Sequence, residues 1–274
     1  MRLQKFLAQS GFGARRKCEA FIFDGRVTIN GIVATIGQSV QPGDEVCVDG
    51  APIKQQEEKI YIALHKPVDY SSDLGDARNK SMLELVPSSH RLFGVGRLDK
   101  DSSGLILLTN DGDFAHHLTH PRFEHEKEYR VLVKGVPNDV VLLQWRTGVM
   151  LEGEATKTAP ARVSIAETQR VGTREFAWLR ITMHEGRKRQ IRRIAKMLGH
   201  PVIELTRVRV GSVTLGTLQS GEWRKLTKAE VQALLTSSPK PPEQSEQSRQ
   251  RNDKRIRERQ PAPARKRRPA HHRD

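Results

Sequence analysis

One segment concentrates residues able to do chemistry: GVGRLDKDSSGLILLTNDGD, residues 94–113. Two glycines bracket a short approach, and Arg97-Leu98-Asp99 then leads through a polar turn into an apolar strand. A carboxylate placed this way can form the turn by bonding nearby backbone, ligate a hard cation, or serve a substrate as nucleophile or base. Asp99, Asp101, Ser103 and Gly104 imitate the front half of a calcium loop. Position twelve, however, is Asn110 where a bidentate Glu is needed, and the flanks are strand-like. His116, His117, His120 and His125 raise the question of zinc, since His116 and His120 stand one helical turn apart. No third ligand follows at a recognisable spacing, and neither H-E-x-x-H nor a cysteine pair occurs. Gly11-Phe-Gly13 is too short and wrongly placed for a dinucleotide fingerprint, and no P-loop occurs. The expectation is neither metal nor cofactor.

Two further clusters stand out. EGRKRQIRRIAKMLGH, residues 185–200, crowds Arg187, Lys188, Arg189, Arg192 and Arg193 around one turn. On a helix, Arg189, Arg192 and Arg193 share a face by i, i+3, i+4 spacing, which reads as a solvated basic face or a set of phosphate contacts. HEKEYRV, residues 125–131, places Tyr129 in an alternating strand, where it is a core residue or a flat ring available for stacking.

The elements that must position these residues are legible in outline. In residues 1–50, Leu3, Phe6 and Leu7 mark an amphipathic helix. Gly11 and Gly13 break it, and a second helix runs through Arg15, Arg16 and Lys17 with Ala20, Phe21 and Ile22 turned inward. Asn30-Gly31 then supplies a tight hairpin turn, and VQPGDEVCVDG adds another turn and strand. With Arg26 near the junction, this is a small basic platform. Residues 51–60 read as a polar linker. From 61 to 235, strand-like runs (YIALHKP, LILLTN, KEYRVLV, FAWLRITMH, VIELTRVRV) alternate with helical patterns near 113–120, 137–146, 187–198 and 227–235. Gly199 caps the third helix, and Thr227 with Glu230 forms a capping box on the last. Many strands and few helices predict an α+β domain on a mixed, largely antiparallel sheet. Residues 236–274 hold twelve basic and five acidic residues and one large aliphatic, Ile256, so they carry +7 and read as a disordered basic arm.

The whole chain bears 47 Lys+Arg against 32 Asp+Glu, formally +15 with a pI near 10.2, which favours a polyanionic partner. Cys18 and Cys47 read as reduced thiols, and neither a signal peptide nor a run of about 18 apolar residues is present. A cytoplasmic monomer without membrane association is expected.

These segments resemble known families. Residues 1–46, with the helix-opening arginine pair and the GRVxxNG turn, resemble the S4 RNA-binding domain, which implies docking on structured RNA. GRLDKDSSGLILLTNDGD, HEKEYRV and EGRKRQIRRIAKMLGH, in that order, resemble the three motifs of the RsuA/RluB/RluE/RluF branch of pseudouridine synthases. The resemblance implies isomerisation of uridine to pseudouridine in ribosomal RNA or a ribosome precursor particle, 23S rather than 16S. It makes Asp99 the essential carboxylate, Arg192 its guanidinium partner and Tyr129 the ring that stacks on uracil. Arg97 would fill the space left by the extruded base, and Arg15, Arg16, Lys17, Arg26, Arg187, Arg189 and Arg193 would contact RNA. Two alternatives belong to other classes. A catalytically silent assembly factor would be expected to lack one of Asp99, Tyr129 and Arg192. A nucleoside hydrolase would want a second carboxylate across the bond, and Asp101 lies in a turn with nothing to place it there.

Overall fold

The computed structural model describes residues 1–53, 58–72 and 79–236; the expected basic arm lies outside them from residue 237 onward. Leu3, Phe6 and Leu7 are buried on one face of α1 (Leu3–Gln9). Gly11 (φ 88°) and Gly13 (φ 135°) turn the chain into α2 (Arg15–Phe23) through angles that side chains resist. The inward face of α2 differs from expectation: Cys18 and Ile22 are buried, Phe21 is half-buried and Ala20 is exposed. Positions four apart share a helical face, so the Cys18–Ile22 seam forces Ala20, two from each, outward.

Asn30 (φ 52°) and Gly31 (φ 79°) supply the two positive angles of a hairpin turn between β1 (Val27–Ile29) and β2 (Ile32–Val33). β3 (Val46–Val48) and β4 (Ala51–Pro52) complete a sheet ordered β2-β1-β3-β4. Ala51 and Pro52, expected in the linker, therefore belong to this sheet, and at the linker's other end Ile60 packs on the core of the larger unit.

The second sheet comprises β5 (Tyr61–Lys66), β6 (Phe93–Gly94), β7 (Ser103–Thr109), β8 (Lys127–Lys134), β9 (Arg162–Val171), β10 (Arg174–Met183), β11 (Val202–Val210), β12 (Val213–Thr214) and β13 (Trp223–Lys225). Its order is β13-β5-β7-β11-β8-β10-β9, with β6 beside β7 and β12 beside β11. β7 and β11 run parallel, and the other pairs among the described residues are antiparallel. The mixed, largely antiparallel α+β class is the observed one. β9 was not foreseen: RVSIAETQRV is polar and mostly exposed, as an edge strand can be.

Helices cover both faces. α4 (Asp139–Thr147) and α5 (Gln190–Met197) deliver Leu142, Trp145, Ile191 and Ile194 to one core. α3 (Gly112–Thr119) and α6 (Lys228–Leu235) deliver Phe114, Leu118 and Leu234 to the other. Lying between the two layers, β7 has Leu105 through Leu108 all buried, so its apolar run is continuous rather than alternating. No helix among the described residues is long and apolar enough to cross a membrane.

Candidate active site

Asp99 sits just before β7, and the backbone around it is gripped from several sides. Leu98 is buried, its N–H donates to Ser72 Oγ (3.2 Å), and its carbonyl accepts from the same hydroxyl (2.9 Å). The Asp69 N–H donates to the Lys100 carbonyl (2.8 Å), and the Ser102 N–H closes a turn onto the Asp99 carbonyl (3.1 Å). From β11, the buried Arg207 donates through Nε to the Leu105 carbonyl (2.7 Å) and through Nη1 to the Arg97 carbonyl (3.4 Å). This approach needs a glycine. At Gly104 (φ 108°) a Cβ would stand 2.3 Å from the Arg207 carbonyl oxygen and 2.5 Å from its nitrogen. Lys66, fully buried at the end of β5, donates to the carbonyls of Pro67 (2.7 Å) and Tyr70 (2.9 Å). Burial pushes its ammonium down to about 8, against the opposing pull of Asp101, Asp69 and Asp99.

Lys66, Ser72 and Arg207 escaped sequence reasoning, as did the part Gly104 plays in admitting Arg207. The only local hint is Lys66-Pro67 closing a strand, while the partners of the other three lie far away in sequence.

The arginines divide differently from expectation. Arg189, not Arg192, lies within ion-pair reach of Asp99, at 3.7 Å. The Asp99 side chain is 37% exposed there, open to a substrate yet beside a guanidinium. Arg189 also binds Asp101 through both terminal nitrogens (3.0 and 2.8 Å), a fork that holds the Asp101 carboxyl below the usual carboxylate range. Arg192 turns to the next residues of the same turn. It donates to the Asp101 carbonyl (2.6 Å) and Ser102 Oγ (3.2 Å), and its Nε lies 3.4 Å from the Asp101 carboxylate. Only 14% of the Arg192 side chain is exposed, and burial pulls its guanidinium below its ordinary value.

The reason for the exchange is local. α5 begins at Gln190 rather than 187, because Arg189 adopts a left-handed conformation (φ 51°) ahead of the helix. Arg189 thus leaves the helical face it was expected to share with Arg192 and Arg193 and reaches over the Asp99 turn. Arg187 and Arg193, expected to meet RNA, are engaged internally. Arg187 donates to the Thr156 carbonyl (2.8 Å) and Glu185 (3.2 Å). Arg193 donates to Glu154 (2.8 Å) and the Glu152 carbonyl. Together they pin the segment 152–157 to the start of α5.

Tyr129 projects from the middle of β8, paired with Ile181 on one side and Arg207 on the other. It is buried in the cluster that includes Leu98, so its strand neighbour fixes the Asp99 turn and its core neighbour precedes Asp99.

The N-terminal platform keeps its cations outside. Arg15, Arg16 and Lys17 are exposed at the start of α2. Arg26 is also exposed, forked onto Asp49 (2.8 and 2.5 Å) and lying over the Phe21 ring. Between this platform and the larger unit opens a cleft of about 770 Å³, bridged by Lys5 and Asp113 at 2.7 Å and lined also by Arg15, Phe93, Arg97, Gly112 and His116. Arg97 is the link, since it lines the cleft two residues before Asp99. The histidines do not converge. His116 stacks toward His120, while His117 lies against Phe123, with His125 buried beside it.

Residues 60–197 match the family described as RNA pseudouridylate synthase, and residues 1–46 match the S4 domain. The ribosomal large subunit pseudouridine synthase B of Bacillus subtilis is 38% identical over 238 residues, covering 85% of this chain and 95% of that protein. The dual-specificity RNA pseudouridine synthase RluF of Escherichia coli K12 is 38% identical over 233 residues, covering 84% of this chain and 77% of its own. A crystal structure of a pseudouridylate synthase matches with a TM-score of 0.63 at 30% identity, covering 85% of this chain and 99% of that one.

Proposed function

This chain belongs to the RNA pseudouridylate synthase family, and on that premise we propose that it isomerises uridine to pseudouridine in large-subunit ribosomal RNA, with Asp99 as the essential carboxylate. One observation carries the assignment. Asp99 is an accessible carboxylate on a turn fixed by Ser72 and Arg207, with the Arg189 guanidinium 3.7 Å away. The reaction breaks C1′–N1, turns the uracil and forms C1′–C5; C5 loses a proton and N1 gains one, so no electron or atom is owed. A single carboxylate serves this either by attacking C1′ or by taking the C2′ proton and returning it.

Both routes use the carboxylate, and the Arg189 guanidinium stands 3.7 Å from it. Arg192 holds the backbone of the turn, so its contribution to Asp99 is positional. Tyr129 presents its ring to the uracil face, and Arg97 helps hold the extruded base. Residues 1–50 bind the RNA as a platform, residues 61–235 carry the chemistry, and the arm from 236 adds salt-sensitive affinity. The large-subunit target draws support from the Bacillus subtilis relative, named for that subunit. One chain supplies every group used here, which favours a monomer, and the substrate places it in the cytoplasm.

The test is tritium release from [5-³H]uridine-labelled large- and small-subunit transcripts, with wild type and Asp99→Asn. Release from the large-subunit transcript that disappears in the variant supports the reading. Wild-type release by Asp99→Asn would overturn it.

A further inference from the structure

The cleft between the platform and the larger unit adjoins the Asp99 site through Arg97, but Asp99, Tyr129 and Arg192 do not line it. Its chemistry is nonetheless specific. Among the described residues, Lys5, Arg15 and Arg97 line it with one carboxylate, Asp113, which is committed to Lys5 at 2.7 Å, and Arg97 is itself already engaged. The Arg15 guanidinium forms no hydrogen bond or ion pair with another described residue. Two flat rings, Phe93 and His116, lie on the same walls. An uncommitted guanidinium with flat rings beside it is an arrangement that holds unpaired nucleic acid, a phosphate against the cation and bases against the rings.

Size and openness narrow the ligand. About 770 Å³ falls within the range of small-molecule sites (~300–1,000 Å³), roughly the space of one or two nucleotides. The space also depends on an absent side chain. A Cβ at Gly112 would point toward Arg15, 3.8 Å from its Nη2, so any longer residue there would fill the cleft.

We infer that this cleft seats a second unpaired nucleotide of the RNA, a strand neighbour of the uridine delivered to Asp99, with Arg97 standing between the two. The inference rests on the isomerase reading for the identity of the strand. The platform then does more than hold a folded stem: with the larger unit it keeps the strand beside the target open.

The experiment is photo-crosslinking of the full chain to large-subunit transcripts carrying 4-thiouridine, with adducted peptides mapped by mass spectrometry and tritium release measured in parallel. The expected result is an adduct on the peptide holding Phe93 or His116, formed by a nucleotide other than the isomerised uridine. Gly112→Met, which fills the space at a position with ordinary backbone angles, should lose that adduct. It should raise KM about tenfold, the worth of one stacked base, with kcat retained. Arg15→Ala, a surface change, should lower the slope of log affinity against log salt by about 0.7, one single-strand phosphate contact.

Normal tritium release with both cleft peptides clean, or an unchanged KM in a folded Gly112→Met protein, would overturn the inference. Cleft adducts without tritium release would support it while removing the isomerase reading.

Discussion

The chain has two arginine-rich regions that look alike as strings and behave oppositely in space. ARRK at the start of α2 meets no carboxylate on its own helix turn and stays exposed. GRKRQIRR at the start of α5 meets Asp99, Asp101, Glu154 and Glu185, and its guanidiniums are spent on them. Exposed cations exchange readily with salt and suit a phosphate backbone. Partly desolvated ones gain strength from the lower dielectric and hold an arrangement in place. What separates the two is therefore which acids the fold brings near, not the density of basic residues.

The sharpest way to break this contrast is at the carboxylate itself. Asp99→Asn should lower single-turnover tritium release by 10³-fold or more, with RNA affinity within about twofold, on the order expected for losing a nucleophile or base. Next comes Arg192→Ala, which removes a mostly buried guanidinium that holds the Asp101 carbonyl and Ser102. A fall in kcat of about 10²-fold is expected, together with a stability loss of about 2–3 kcal/mol by urea unfolding. A variant that lost only RNA affinity would place Arg192 with the platform instead. Arg189→Met should lower kcat about tenfold with little change in stability, since its pairs are roughly half exposed. Arg16→Ala should do the reverse, weakening RNA binding a few-fold in a salt-dependent way.

Acid should act elsewhere, on a buried histidine outside both regions. His125, buried beside His117, is pushed down to about 4 by its burial, with His117 and Lys127 adding to the effect. The folded form therefore resists protonation more than the unfolded one. That contribution is complete above about 6.5 and is lost as pH falls toward 4, amounting to about 3 kcal/mol. Urea unfolding followed across this range should show the loss, and His125→Leu should flatten it. An equal slope in that variant would assign the effect to other groups.

Much of this was legible in the string. The α1 stripe, the Asn30-Gly31 hairpin, the capping box at Thr227 and the continuous apolar run of β7 are local signals, and these four elements follow from them. The order of the three motifs identified the segments of the site, but not how they pair. A left-handed Arg189 has no local signature in RKRQ, yet it decides which guanidinium reaches Asp99. Arg193 and Arg187 find partners about thirty to forty residues upstream in the 152–157 segment, where EGEATK reads as ordinary loop. Ser72 and Arg207 act on carbonyls, which no sequence pattern displays.

The parallel pairing of β7 with β11, Ser103 to Thr206 and Gly104 to Arg207, has a consequence for how the protein is made. It closes a loop of about a hundred residues, so its entropy is recovered only after the intervening strands have found their places. On a ribosome, the N-terminal helices and the β5–β7 strand pair can form while synthesis continues. The turn bearing Asp99 cannot be braced by Arg207 until β11 has left the exit tunnel. A nascent chain can thus grip RNA well before it can modify any, and competence arrives as one of the last events of folding.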